Sequence, residues 1–136
     1  MQQELSLEKL LEKFNAEYNL NKSDYEYLIE LIKTSEHQEL SNDAKLAILV
    51  EEVEFFLEKY IKSANRFRFF NDLLNKDRAR VIKDQLSIIQ HFFSYLLSEI
   101  EITKVPFCDE NTLVLIFEAH QKMEDTLDKY GKYVFL

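Results

Sequence analysis

The sequence predicts an all-α fold, a single-domain bundle of four to five helices in up-down order with short turns. Composition is the first reason: the 136 residues include one glycine and one proline, where average usage would supply roughly 9 and 7. Strand-rich folds need many turns with positive φ, which glycine adopts most readily. The second reason is spacing, because apolar residues recur at i, i+3, i+4 and i+7 along most of the chain, which places them on one face of a helix.

The first two helices are predicted on either side of a break at residues 19–21. Ser6 precedes the first of them, whose apolar face reaches Tyr18. Ser23 and Glu26 have the spacing of a capping box, in which a hydroxyl and a carboxylate bond the exposed N–H groups of a helix start. This pair predicts the start of the second helix. Its apolar face is Tyr25, Leu28, Leu31 and Ile32.

A long third helix is predicted from about Asp43 to a residue between 66 and 70, after start signals at residues 41–43. Ile48 and Phe55 lie almost opposite its apolar face at 100° per residue. They predict either a central helix covered on both faces or a patch that awaits a partner, such as a second copy in a homodimer. The predicted core face is Leu46, Val50, Val53, Leu57, Tyr60, Ile61 and Ala64.

The fourth helix is predicted over about residues 77–101, after a turn formed by Asn71-Asp72 and Asn75-Lys76-Asp77. Asparagine and aspartate favour turns because their side chains bond nearby backbone groups. The predicted core face is Ile82, Leu86, Ile89, Phe93, Leu96 and Ile100.

The fifth helix is predicted over about residues 110–130, after a break at residues 105–107. Gly131 is expected as a left-handed C-terminal cap, and the apolar residues 133–136 are expected to dock on the bundle. No linker or repeat interrupts the chain, so we expect one domain over residues 1–136. The predicted core face is Leu113, Ile116, Phe117, His120, Met123, Leu127 and Tyr130.

Composition also excludes several functional classes. A chain with one glycine cannot form the glycine-rich phosphate loops of common nucleotide-binding motifs. The lone Cys108 permits neither an internal disulfide nor a thiolate metal cluster. No apolar run approaches the ~18–20 residues of a membrane span, and the N-terminus lacks a signal pattern. We expect a reduced, soluble, cytoplasmic protein that needs no cofactor and contacts no membrane.

Charge is distributed unevenly along the chain. All four arginines fall between residues 66 and 80. The basic segment, residues 62–83, carries a charge of +5, whereas residues 1–61 carry −8 and residues 84–136 carry −5. Any argument about a site therefore starts from the basic segment.

The predicted site in the basic segment combines guanidinium groups with aromatic rings. Arginine grips carboxylates or phosphates through two parallel hydrogen bonds, and adjacent rings can anchor a partner or stack on bases. Three interpretations stay open: pairing with the protein's own carboxylates, an acidic patch on another protein, or nucleic acid, which the net charge of −8 disfavours. The site residues are Arg66, Arg68, Arg78, Arg80, Phe67, Phe69 and Phe70, with the outward Ile48 and Phe55.

Two histidine- or cysteine-based sites have weaker support. His120 and Glu124 project onto the apolar face of the fifth helix, which is how helical bundles build metal sites, but a lone inward histidine is more often satisfied by one hydrogen bond. Cys108 has no adjacent histidine to activate it, so we interpret it as a small apolar residue at the head of the fifth helix.

The carboxylates suggest two further hypotheses. Glu51/Glu54 and Asp125/Asp128 resemble the ExxE and ExxD helices of all-α nucleoside-triphosphate pyrophosphohydrolases, which would imply magnesium held between two helices. The resemblance covers only these four residues, and Asp125 projects away from the apolar face. The acidic third helix could alternatively mimic nucleic acid in the basic groove of a partner, or simply be a solvated face.

The sequence therefore favours a non-enzymatic protein-binding module that uses the Arg/Phe site at residues 66–80. Small helical proteins of this kind include bacterial or phage regulators, adaptors, immunity factors and anti-defence factors. A nucleic-acid-binding accessory protein and an acidic mimic are the alternatives.

Overall fold

The computed structural model describes residues 6–32, 41–103 and 107–134. Within these ranges the chain is all-α, with five helices packed against each other and no strand, so the predicted fold class is confirmed. The helices are α1 (Leu7–Tyr18), α2 (Lys22–Ile32), α3 (Asn42–Phe70), α4 (Leu73–Thr103) and α5 (Glu110–Val134). None of the described helices is apolar over a stretch long enough to cross a bilayer.

The three long helices form the centre of the bundle. α3, α4 and α5 pack against one another, while the α1–α2 hairpin lies against α4 and α3. The rings of Phe14 in α1 and of Phe92 and Tyr95 in α4 meet with centroids 5.5 and 5.4 Å apart. This aromatic contact fastens the short hairpin to the long helices.

Helix starts follow local hydrogen-bonding chemistry. As predicted, Ser6 and Ser41 cap α1 and α3, because their hydroxyls accept from the N–H groups of Lys9 and Ala44 at 3.2 Å. The capping box predicted at Ser23 is wrong. α2 begins at Lys22, two residues before the start that a cap at Ser23 implies, because the side chain of Asn21 accepts from the N–H of Asp24 at 2.9 Å and from the Ser23 hydroxyl.

The turn between α3 and α4 is shorter than predicted. It consists of Asn71, in the left-handed conformation at φ 53°, and Asp72, whose carboxylate accepts from the N–H of Leu74 at 3.0 Å. Asp72 also accepts from the Asn75 amide at 2.6 Å. Because Asp72 caps the helix, α4 begins at Leu73 rather than at Asp77, and residues 75–77 belong to its first turns.

The end of α5 also differs from prediction. The helix continues through Gly131 to Val134, and Gly131 does not adopt a positive φ. The predicted left-handed cap is therefore wrong. The docking predicted for the apolar C-terminus concerns side chains that lie outside the described residues, as does the break at residues 105–106.

Most predicted core residues are buried, but two aromatic ones are not. Tyr18 ends the predicted apolar face of α1 and is 57% exposed. Phe117 was assigned to the core face of α5 but is 58% exposed. The small residues Thr112 and Ala119 are buried instead, so α5 presents a slightly rotated face to its neighbours. Spacing alone missed several other buried residues, namely Leu49, Ala79, Phe92 and Tyr95.

One buried asparagine joins three parts of the chain. The Asn42 side chain accepts from the N–H of Leu7 at 3.1 Å and donates to the carbonyl of Phe107 at 2.9 Å. The starts of α1 and α3 and the segment before α5 thereby meet at one end of the bundle. Beside it, the N–H of Thr112 donates to the Asp109 carboxylate at 2.8 Å, which holds the pKa of that carboxyl below its usual range.

Candidate functional site

A groove of about 550 Å³ runs between α3 and α4 toward the Asn71–Asp72 turn. Its α3 wall consists of residues spaced three and four apart, which therefore lie on one helical face. These residues are Phe56, Lys59, Lys62, Ser63 and Arg66.

The α4 wall of the groove repeats this spacing. Asn75, Arg78, Ile82 and Gln85 follow one another at intervals of three, four and three residues, as do Phe56, Lys59, Ser63 and Arg66 on α3. Two matched stripes of an antiparallel hairpin thus face one cavity. The remaining α4 residues of the wall are Asp77 and Val81.

The groove is basic although the protein is acidic. Four cationic side chains, Lys59, Lys62, Arg66 and Arg78, line it beside one carboxylate, Asp77, a balance of +3 in a chain of net charge −8. Among the described residues, neither Arg66 nor Arg78 forms an ion pair. Their charges are therefore available to an anion that enters from solvent.

Two buried polar side chains also line the groove. Ser63 is 8% exposed and Asn75 is 5% exposed. The Asn75 amide donates to Asp72, whereas the Ser63 hydroxyl makes no hydrogen bond within the described part of the chain. Because Ser63 lines the groove and its hydroxyl has no partner among the described residues, it offers a hydrogen-bonding group to a ligand.

The hairpin ends in an exposed apolar tip, which we define as Phe69, Phe70, Leu73 and Leu74. Their exposed fractions are 69%, 78%, 67% and 57%. Four adjacent large apolar side chains facing solvent form the kind of patch that marks an interaction surface. The tip adjoins the groove, because Arg66 precedes it and Asn75 follows it.

Cations accompany the aromatic rings of this hairpin. The Arg68 guanidinium carbon lies 5.5 Å from the Phe69 ring centroid, and the Lys76 ammonium lies 5.1 Å from that of Phe67. Farther along α3, the Lys59 ammonium lies 4.4 Å from the Phe55 ring centroid. Contacts at these distances are favourable cation–π geometries. They hold cations beside the exposed rings of Phe55 and Phe69 and the half-buried ring of Phe67.

The predicted site residues separate into three groups. Arg66 and Arg78 face one groove, while Phe69 and Phe70 form half of the tip. The other predicted residues, Arg68, Arg80, Phe67, Ile48 and Phe55, do not line the groove. Of the two residues predicted on the outer side of α3, Phe55 is exposed and Ile48 is half-buried.

Sequence reasoning missed the residues that give the groove its shape. Lys59, Ser63, Asn75 and Gln85 were not considered, and Leu73 and Leu74 were not recognised as part of the tip. The matched three-four-three spacing around a two-residue turn is the signal that could have found the groove. When α4 is predicted to begin at Asp77, Asn75 falls outside the helix and the matched spacing is not apparent.

His120 takes part in a cross-helix contact. Its Nε2 atom lies 2.6 Å from the hydroxyl oxygen of Ser94, so the hydrogen bond joins α5 to α4. Ser94 lies within α4 at an exposed position. Glu124 is exposed. This geometry suits a structural hydrogen bond between helices.

The carboxylate pairs do not converge on a cavity. Glu51, Glu54, Asp125 and Asp128 are all exposed. In residues 6–32, 41–103 and 107–134, no three histidine, cysteine, aspartate or glutamate side chains are placed to share a metal ion. Cys108 is buried before α5.

The fold and the site together define an all-α bundle with a basic groove and an apolar tip on one helical hairpin. No protein-family model matches the chain, and no curated protein sequence or solved structure shows significant similarity to it.

Proposed function

We propose that the protein is a non-enzymatic binding module whose α3–α4 hairpin docks on an acidic segment of another protein. The observation that carries the proposal is the continuity of the basic groove with the apolar tip. A negatively charged segment would place its carboxylates in the groove beside Arg66 and Arg78, while its apolar residues cover Phe69 and Phe70. Interfaces commonly combine such an aromatic anchor with charged groups that orient the partner.

The charge distribution supports a protein partner over nucleic acid. Nucleic-acid affinity depends on many phosphate contacts in a broad positive field, whereas this groove contains four cations in a chain of net charge −8. Residues 1–61 and 84–136 are both acidic and repel a long polyanion. A short acidic segment needs only the cations of the hairpin.

Site-specific photo-crosslinking tests the proposal. A photoreactive phenylalanine analogue is placed at position 70 on the tip, and at position 117 as a control, because Phe70 and Phe117 are both exposed. In extracts of the native host we expect position 70 to crosslink a protein through a peptide rich in aspartate or glutamate. Equal crosslinking from position 117 would contradict the proposal.

Charge reversal tests the groove separately. The double variant Arg66→Glu/Arg78→Glu is expected to abolish the crosslink from position 70. The matched control Lys122→Glu/Lys129→Glu changes the charge equally on exposed positions of α5 and should preserve it. A crosslink that survives reversal of both groove arginines would overturn the assignment. A salt-sensitive mobility shift with single-stranded nucleic acid would favour the nucleic-acid alternative.

A further inference from the structure

The groove offers more hydrogen-bond donors than a single carboxylate can use. Arg66 and Arg78 each carry a planar fork of N–H donors, and both line the same cavity from opposite helices. A carboxylate has two oxygens and one negative charge, so a bidentate pair with one guanidinium engages both oxygens and balances only one of the two arginine charges.

The Ser63 hydroxyl adds a donor to the same cavity. It is 8% exposed, makes no hydrogen bond within the described residues, and lies on α3 three residues before Arg66. The amide of Asn75 lines the cavity from α4 and is already oriented by Asp72. The one carboxylate of the groove, Asp77, is exposed to solvent, and the balance of the cavity remains +3 after it is counted.

We infer that this groove recognises a phosphoryl group on the partner segment, a phosphorylated serine or threonine, in preference to a carboxylate. The inference rests on the proposed function and names the chemistry that the groove selects. A phosphate monoester carries a charge near −1.5 to −2 and three strong acceptor oxygens. These oxygens can accept hydrogen bonds from the two guanidinium groups and from the Ser63 hydroxyl. The negative charge of the phosphate offsets the net positive charge of the groove.

Two synthetic peptides of nearly equal charge test the preference. One contains a phosphoserine between glutamates, Ac-Glu-Glu-pSer-Glu-NH2, and the other is Ac-Glu-Glu-Glu-Glu-Glu-NH2. The protein has only four arginines, so its side-chain Nε–Hε NMR spectrum contains four resonances. The phosphopeptide should shift those of Arg66 and Arg78, and Arg68 and Arg80 serve as internal controls outside the groove.

Substitutions separate recognition from general charge attraction. Ser63→Ala should weaken binding of the phosphopeptide about tenfold, which is the effect of one hydrogen bond to a charged group. It should leave the affinity for the glutamate peptide unchanged. Arg66→Lys retains the positive charge but loses the planar guanidinium. It should therefore weaken binding of the phosphopeptide more than binding of the glutamate peptide. The control Ser98→Ala lies on an exposed position of α4 and should bind both peptides as the wild type does.

The outcomes distinguish this inference from the proposed function. Equal affinity for both peptides would overturn phosphoryl recognition while an acidic partner segment still fits. Equal shifts of all four arginine resonances would overturn the groove as the phosphoryl site. Inorganic phosphate that binds as tightly as the phosphopeptide would show that the ligand is a free anion rather than a partner segment. If neither peptide binds, the inference is overturned. The crosslinking from position 70 tests the proposed function independently.

Discussion

At the scale of single residues, the buried polar groups of this bundle differ in whether their hydrogen bonds are satisfied. Asn42 satisfies the N–H of Leu7 and the carbonyl of Phe107, and both groups would otherwise be buried without a partner. Tyr60, by contrast, buries a hydroxyl that makes no hydrogen bond within the described residues. The two side chains should therefore respond oppositely to substitution.

Asn42→Ala is expected to lower the free energy of unfolding by about 2–4 kcal/mol, because two buried backbone groups lose their hydrogen bonds at once. Urea denaturation followed by circular dichroism measures the change. Asn65→Ala is the control, since Asn65 lies half-buried within α3 and should cost much less. A loss below about 0.5 kcal/mol for Asn42→Ala would show that this contact does not hold the helices together.

Burial of Tyr60 predicts a loss of stability at alkaline pH. Burial raises the pKa of its hydroxyl to about 12, above the ordinary value of about 10. Between pH 10 and 12 the unfolded chain releases this proton while the folded protein keeps it, so the free energy of unfolding falls as pH rises. Below pH 10 the contribution of Tyr60 is fully present.

Tyr60→Phe tests this linkage. The variant should be as stable as the wild type or more stable at pH 8, because it removes a buried hydroxyl without a partner. It should also lose less stability than the wild type between pH 10 and pH 11 in thermal denaturation. Tyr18→Phe alters an exposed tyrosine and is the matched control. Identical alkaline curves for wild type and Tyr60→Phe would refute the assignment.

At the scale of helices, capping chemistry determines where each element begins and ends. Asp72 moves the start of α4 four residues before the predicted position, and Asn21 moves the start of α2 before Ser23. Asn71 adopts the left-handed conformation that this two-residue turn requires. These short-range contacts set the first residues of α2 and α4 and the length of the turn between α3 and α4.

Gly131→Ala is expected to raise the free energy of unfolding by about 0.5–1 kcal/mol. Gly131 lies within α5 at negative φ, and an added Cβ would contact nothing within 4 Å. Alanine therefore reduces the entropy of the unfolded chain without strain. Denaturant unfolding measures the gain. If Gly131 were instead a left-handed cap, alanine would destabilise the protein.

At the scale of the whole molecule, large apolar side chains lie both in the core and on the surface. The hairpin tip is one exposed group, and Val114, Leu115 and Phe117 on α5 are another. Phe92 is fully buried, whereas Phe70 is 78% exposed. A phenylalanine side chain thus contributes to folding at position 92 and is available for binding at position 70. The acidic majority of the surface keeps polyanions away from the basic groove.

Phe92→Ala should lower the free energy of unfolding by about 3–5 kcal/mol, while Phe70→Ser should change it by less than about 0.5 kcal/mol. Urea denaturation of both variants measures the contrast. Phe117→Ser, at a position of α5 that is 58% exposed, is the control for Phe70→Ser. A loss above about 1 kcal/mol for Phe70→Ser would mean that the tip contributes to the folded core.

The candidate site was partly predictable from residue types. The basic segment identified Arg66 and Arg78, and the run of aromatic residues identified Phe69 and Phe70. Ser63 and Asn75 could not be found in the same way, because a lone polar residue within a helix has no distinctive pattern. Ser63 and Asn75 line the groove because of how α3 and α4 are aligned against each other.

The sequence by itself determined an all-α bundle, since apolar periodicity and the near absence of glycine and proline act through local geometry. It also determined which segment is basic. Only the tertiary structure decided that Phe117 is exposed, that Tyr95 is buried and that Arg66 and Arg78 share one groove. These properties depend on how far each helix is rotated against its neighbours, and that rotation is settled by contacts between residues distant in the chain.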